Sequence, residues 1–424
     1  MDRYYLCIDL KSFYASVECV ERGLDSLTAN LVVADPERSD KTICLAVSPH
    51  MKELGVKNRC RVFEIPKTID YVMAPPRMQK YIDYAAKIYE IYLGFMAKED
   101  IYVYSIDEVF MDITPYMPIY NKTPREMAIM LMEAVLQGTG IRATAGIGTN
   151  LYLAKIALDI TAKHSPDFIG YLDEETFKNE LWEHQPLTDF WRIGRGITNR
   201  LSELGIYNMK QLAHFDEDAL YRKFGIDAEL MIDHAWGREP VTMADIKNYK
   251  SKTKSLTSGQ VLMRDYEYGE ARTILREMVD KLALDLTAKG LVCSSISFQI
   301  RYSNKSGLEP AHGSAGFDKP TNSETIMAER LMPVFDEVMN KEALVRGFIV
   351  SCNNVLPDEE DMQMSFFDME VDEVSSQDKK LQTAMLDIKE KFGKNAIFKS
   401  MDLEEAATTL ERNKQIGGHK SGEE

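Results

Sequence analysis

The sequence predicts an α+β protein built from several domains. Three observations carry that prediction. The chain has 424 residues, more than one hydrophobic core ordinarily serves. Its first 163 residues alternate β-rich runs with amphipathic helical stretches in the order β-α-(insert)-α-β-β-α-β-α, which suits a sheet layered with helices. Residues 250–352 form a separate pattern, β-α-β-β-α-β, the split βαβ arrangement.

Tyr4 to Asp9 alternates and is rich in β-formers, which predicts a strand; Ser12 to Glu21 predicts a helix. The run LVVAD, the turn PERSDK and the run TICLAV predict a hairpin over 31–47. A short helix over 49–55 stops at Gly55. Apolar residues recur at helical spacing from Met78 to Ala97. The segment 101–113, IYVYSIDEVFMDI, is β-rich with two carboxylates in its middle. A helix over 124–136, a strand over 142–149 and a helix from Leu151 to Lys163 complete the first unit. Residues 185–213 are helical, broken by the loop Ile193-Gly194-Arg195-Gly196-Ile197.

In the later unit, strands are expected over 252–262, 293–302, 309–317 and 344–352, with helices over 267–288 and 322–341. After Cys352 the chain becomes acidic and poor in apolar residues, so disorder is expected over about 354–374. Leu381, Met385, Ile388 and Phe392 then make one helical face closed by Gly393. Asp402 with Glu405 reads as a capping box for a last short helix, and the terminal GGHKSGEE as frayed.

Composition narrows the function classes. Net charge is −16, which argues against a protein that simply coats DNA. Half of that deficit lies in the tail, where residues 353–424 hold 17 acidic and 9 basic residues, so local basic patches can still meet a polyanion. No run of 18 apolar residues occurs, and the N-terminus does not read as a signal peptide, so a cytoplasmic protein without a membrane partner is expected. The six cysteines show no metal-type spacing and read as reduced, half-buried thiols.

Chemistry concentrates on Asp9, Asp107 and Glu108. Each sits in or beside an apolar strand, where an unpaired charge is costly. A single aspartate there ordinarily caps a turn or meets water. Three carboxylates brought together repel unless cations sit between them. Two Mg²⁺ ions fit, because hard cations take oxygen ligands.

The motifs IDLKSFYASVE, YSIDEVFMDI and AGIGTNLYLAKIALD, in that order, resemble the Y-family DNA polymerases of the UmuC/DinB (ImpB/MucB/SamB) type. The resemblance runs over about residues 1–352 and lies closest to the UmuC-like branch of Gram-positive bacteria. It implies a right-hand polymerase: a ferredoxin-like palm at 1–18 and 76–169, fingers at 19–75, a helix-hairpin-helix thumb at 170–246, a little finger at 247–352 and an acidic tail at 353–424. The implied activity is error-prone DNA-directed DNA synthesis opposite damaged template, without proofreading, within the SOS response.

The resemblance also assigns roles. It makes Asp9, Asp107 and Glu108 the catalytic metal ligands, with the Leu10 carbonyl at the second ion. It makes Tyr14 the steric gate that excludes a 2′-hydroxyl, packed by Phe13. Lys52 and Lys163 match contacts to the triphosphate of the incoming dNTP. Here the chain departs from the DinB branch: Pro49 and Lys52 stand where that branch has a Tyr and an Arg, and Lys163 lies one residue further along, with Lys155 as its neighbour. Gly194, Arg195 and Gly196 would approach a phosphate of primer-template DNA, aided by Arg200. The lysines 247, 250, 252 and 254 resemble the tether to the little finger, with Lys252, Lys254, Arg301 and Arg346 as DNA contacts. Gln363, Met364, Phe366 and Phe367 resemble the bacterial sliding-clamp-binding peptide. UmuD-like or recombinase partners are also implied.

Two rival readings make different predictions. A nucleotidyl cyclase would carry Gly-Gly before its acidic pair, where this chain has Ser105-Ile106. A non-catalytic accessory protein binding the clamp would not need all three carboxylates.

Overall fold

The computed structural model describes residues 3–251, 254–358 and 369–422. The chain divides into two compact units, Met1–Lys250 with Lys420–Glu424, and Ser251–His419.

The first unit is organised by a sheet whose central strand is β1 (Tyr5–Leu10). Tyr5 to Ile8 are all buried, as expected for a strand with helices on both faces. A small second sheet holds β2 (Leu31–Val33), β3 (Ala46–Val47) and β4 (Val72–Ala74) in the order β3-β2-β4. The expected hairpin over 31–47 exists as the pair Val32–Val47, but most of TICLAV is irregular. β4, not expected from sequence, adds in parallel to β2; three residues are too few to show a period.

The main sheet continues with β5 (Ile101–Val103), β6 (Glu108–Asp112), β7 (Ala143–Gly148) and β8 (Ile169–Leu172), in the order β5-β6-β1-β7-β8. The β-rich stretch 101–113 is therefore a hairpin, and its carboxylates lie where the chain turns into β6. β8 was also not expected, and it carries the sheet past residue 169.

The helix Pro124–Thr139 starts with the Thr123–Glu126 capping box and Pro124 at its first turn, and ends at Gly140 in the left-handed region. The helical stretch after Asn150 changes type twice. Leu151–Ile156 is α-helical, Ala157–Thr161 is a π-turn, and Ala162–His164 is a 3₁₀ turn. A π-turn accommodates one extra residue within a helix. Gly146 and Gly148 let this helix press onto β7: a Cβ at either would lie 2.1 Å from a backbone atom of Ala154.

The helical region beyond packs around Phe177, Phe190, Leu201 and Leu220. The first arm of the expected helix-hairpin-helix is only a 3₁₀ turn, Leu187–Asp189; the second is the helix Arg195–Ser202.

In the second unit β9 (Ser255–Tyr266), β10 (Leu291–Tyr302), β11 (Ala311–Thr321) and β12 (Val345–Asn353) form an antiparallel sheet in the order β11-β10-β12-β9. The helices Tyr268–Ala288 and Glu324–Val338 bury Ile274, Met278, Leu331 and Phe335 against it. The predicted β-α-β-β-α-β order holds throughout.

The tail differs most from expectation. Leu356–Pro357 pairs with β10 although disorder was expected there. On the helix Met369–Phe392, Met385 is buried but Leu381 and Phe392 are exposed, so the expected apolar face is only partly used. Side-chain polar contacts dock this helix instead: Asp378 accepts from the Ser323 hydroxyl, and Gln382 bonds Asn322 and Thr287. Asp402 caps from inside a 3₁₀ turn, accepting from the Lys399 N–H, and the last helix is Thr409–Asn413. The GGHK segment is not frayed: Gly417 and Gly418, both at positive φ, join the strands Gln415–Ile416 and His419–Lys420. All six cysteines are free and buried rather than half-buried.

Candidate active site

β1 and β6 run antiparallel with Asp9 directly opposite Glu108. The Leu10 N–H donates to the Asp107 carbonyl at 2.9 Å, which ties the end of β1 to the bend that presents Asp107. Asp107 is held there by the Ser105 hydroxyl at 2.6 Å. The strand pairing thus collects at one sheet end the three carboxylates singled out from sequence, with the Leu10 backbone beside them.

Asp9 is the most perturbed member. Burial, then the negative charges of Asp107 and Glu108, push its pKa up to about 7, while Lys155 works the other way. Such mutual repulsion is what bound cations relieve. The donors are all hard carboxylate oxygens, so the set fits Mg²⁺. Among the described residues, no group of three or more potential ligands is already arranged to hold a metal ion.

Glu108 is engaged elsewhere. The Lys155 ammonium lies 2.9 Å from each of its carboxylate oxygens, and the Cys7 thiol donates to Oε1 at 3.1 Å. Lys155 is itself buried and bridges to Asp159 at 3.1 Å. Burial opposes its charge, yet the carboxylates of Asp159 and Glu108 hold its pKa above the usual lysine value. Lys155 is therefore not a free cation beside Lys163; it is the partner of a carboxylate. The roles of Cys7 and Asp159 were missed from sequence. The period-2 rule was the available signal for Cys7, which shares a strand face with Asp9.

Phe13 is buried, and Tyr14 stacks on Tyr81 with ring centroids 4.5 Å apart at 18°. Tyr81 is fully buried and donates to Glu18 Oε1 at 2.8 Å. Glu18, fully buried, takes two hydrogen bonds from Arg77, at 3.0 and 2.8 Å. Tyr14 thus rests on a rigid support, which sequence reasoning did not find because Glu18 lies 59 residues from Arg77 and 63 from Tyr81. Burial raises the Tyr14 phenol pKa, and Asp107 adds to the rise, which places the ring within electrostatic reach of the carboxylates.

Lys52 lies on the short helix Pro49–Glu53, capped by Ser48. Its pKa is lowered by burial and further by Lys163, while Asp9 opposes that. Lys52, Lys163 and Asp9 therefore share one electrostatic neighbourhood. Pro49 fills a buried position at the start of this helix.

Gly194, Arg195 and Gly196 are exposed at the N-terminus of the helix Arg195–Ser202, with nothing within 4 Å of a Cβ at either glycine. Arg200 is held by the Lys223 carbonyl and lies over the Phe224 ring. Trp191, just before this loop, donates to the Tyr104 hydroxyl at 3.1 Å, joining it to the bend that carries Asp107. In the second unit Lys254 and Arg301 are exposed, whereas Arg346 faces Asp265 at 3.6 Å. Lys252, Gln363, Met364, Phe366 and Phe367 lie outside the described residues.

Comparison with known proteins shows what the chain is similar to. Residues 8–159 match the impB/mucB/samB family, and residues 253–366 match that family's C-terminal domain. UvrX, a protein of Bacillus subtilis (strain 168) named for UV-damage repair, is 31% identical over 98% of this chain and 97% of its own. DNA polymerase IV 2 of Halalkalibacterium halodurans is 30% identical over 99% of this chain and 100% of its own. A Y-family DNA polymerase chimera, Dbh-Dpo4(243-245)-Dbh, shares the fold at a TM-score of 0.64, with 18% identity over 84% of this chain and 99% of that one. From matches that span both of its folded units, the chain belongs to the impB/mucB/samB family.

Proposed function

We propose that the chain is a translesion DNA polymerase that adds deoxynucleotides to a primer 3′ end opposite damaged template. The observation that carries this reading is the end of the sheet where Asp9 faces Glu108 beside Asp107, with Tyr14 on its Tyr81 support a few residues away. Asp9, Asp107 and Glu108 would hold two Mg²⁺ ions, with the Leu10 carbonyl. When bound, the ions supply activation of the 3′-hydroxyl and charge neutralisation on the leaving pyrophosphate. The protein orients the carboxylates through β1 and β6, packs Tyr14 under the sugar, and offers Lys52 and Lys163 to the triphosphate.

Residues 1–18 and 76–169 serve as palm, 19–75 as fingers, 170–246 as thumb and 247–352 as little finger. Gly194, Arg195 and Gly196, with Lys252, Lys254 and Arg301, grip DNA through phosphates, so binding weakens steeply with salt. Residues 363–367 dock on a sliding clamp in the cytoplasm. Among the described residues no helix is long and apolar enough to cross a membrane.

Three outcomes follow. With Mg²⁺, the full chain extends a primer on plain template and across an abasic site; failure on both templates removes the reading. Lys52→Ala and Lys163→Ala each raise the KM for dNTP about tenfold, the worth of one charge-assisted hydrogen bond. In steady-state kinetics an unchanged KM in both variants would rule out the triphosphate contact. Deleting 363–367 abolishes retention on immobilised clamp while primer extension without clamp continues; retained binding would place the contact elsewhere.

A further inference from the structure

We infer that Lys155 is a resident counter-ion of the carboxylate site, holding Glu108 out of the metal-ligand set until divalent cations arrive. The inference rests on the reading of Asp9, Asp107 and Glu108 as metal ligands.

The geometry around Lys155 supports it. Lys155 contacts both oxygens of Glu108 at 2.9 Å, so the carboxylate's best acceptor positions face the lysine. The Cys7 thiol takes a further position at Oε1. Asp159 holds the ammonium from the other side, at 3.1 Å, one helical turn along the same stretch. The lysine is also built in rather than loosely attached. Its side chain is about 9% exposed, and the close approach of its helix to β7 depends on Gly146 and Gly148.

Lysine suits the task because its charge sits on a flexible four-carbon stem and can retreat toward Asp159 without leaving the helix. Asp159 then keeps it compensated. A divalent ion must compete with a positive charge already seated on one ligand, so the site loads weakly by itself. An ion that arrives with nucleotide phosphates brings extra oxygen ligands and wins that competition. Metal loading thereby becomes dependent on nucleotide.

The test is Mn²⁺ binding to the full chain without DNA or nucleotide, read as free Mn²⁺ by electron paramagnetic resonance. Lys155→Gln keeps a donor toward Glu108 but removes the charge, and Lys155→Met removes both. Both variants are expected to bind Mn²⁺ at least about tenfold more tightly than the parent, from the loss of a like charge beside the site. Lys155→Arg, which keeps the charge, should stay within about threefold of the parent. Folding of each variant is checked by circular dichroism. In the unmodified protein, adding Mg²⁺ with dNTP should shift the Lys155 side-chain nitrogen resonance. Unchanged or weaker Mn²⁺ binding by a folded Lys155→Gln, or an Nζ signal indifferent to Mg²⁺ and dNTP, would overturn the inference. Parent protein whose Mn²⁺ binding is unaffected by Asp9→Asn would instead remove the metal-ligand reading itself.

Discussion

Asp9→Asn is expected to abolish primer extension, lowering its rate by about a thousandfold or more, while making the metal-free protein more stable. The loss follows from removing one of three oxygen ligands that stabilise transition-state charge, an effect of about 4 kcal/mol. The gain in stability follows from the pKa of Asp9, pushed up to about 7 by burial and by Asp107 and Glu108. A carboxyl whose folded pKa is raised penalises the folded state once it ionises. The penalty is absent below the unfolded value near 4, grows between about pH 4 and 7, and is full above that. Asparagine carries no such charge. In chelator at pH 8 the variant should therefore melt several degrees above the parent, from a penalty of about 4 kcal/mol, and the difference should vanish near pH 4. A variant as active as the parent would break the catalytic assignment. One that is inactive and also less stable at pH 8 would show that Asp9 is a structural residue. Residues whose removal stabilises the fold but destroys function mark sites selected for chemistry rather than for folding.

Tyr14→Ala should make the enzyme accept ribonucleotides, with discrimination against the 2′-hydroxyl falling by about a hundredfold. Steric rejection works only if the obstacle cannot yield. Tyr14 meets that condition because it stacks on Tyr81, which is fixed by Glu18 and Arg77. Tyr14→Phe keeps the ring and should keep the selectivity. Glu18→Ala should loosen the support, because it removes the acceptor of the Tyr81 hydroxyl and of both Arg77 hydrogen bonds, lowering stability by about 2 kcal/mol and relaxing sugar selectivity in part. The readout is the ratio of kcat/KM for dNTP and rNTP opposite the same template base. If Tyr14→Ala discriminates as well as the parent, another group guards the sugar.

The elements most legible in sequence were those with long periodic patterns. The unit from β9 to β12 emerged in its right order because each strand and helix there exceeds eight residues. β4 and β8 did not, because strands of three and four residues carry no period and are specified by their neighbours in the sheet. The site divides the same way. Asp9, Asp107 and Glu108 stood out in sequence as carboxylates in apolar strand surroundings, and Tyr14 was singled out by the family resemblance. The pairing of Lys155 with Glu108 was not, since it spans 47 residues and depends on how closely two glycines let a helix approach a strand. In the tail, apolar periodicity over 381–392 suggested a buried face, yet docking is carried by Asp378 and Gln382, polar residues that no hydrophobic pattern flags.

The most direct measurement is single-nucleotide incorporation by the purified full chain, with each of the four dNTPs opposite each of the four template bases, with Mg²⁺ and in chelator. Expected is extension that requires Mg²⁺, follows the template base in its preference, tolerates mismatches, and is lost in Asp9→Asn. Absence of extension, or extension indifferent to the template base or to Asp9, would contradict a template-directed polymerase centred on Asp9, Asp107 and Glu108.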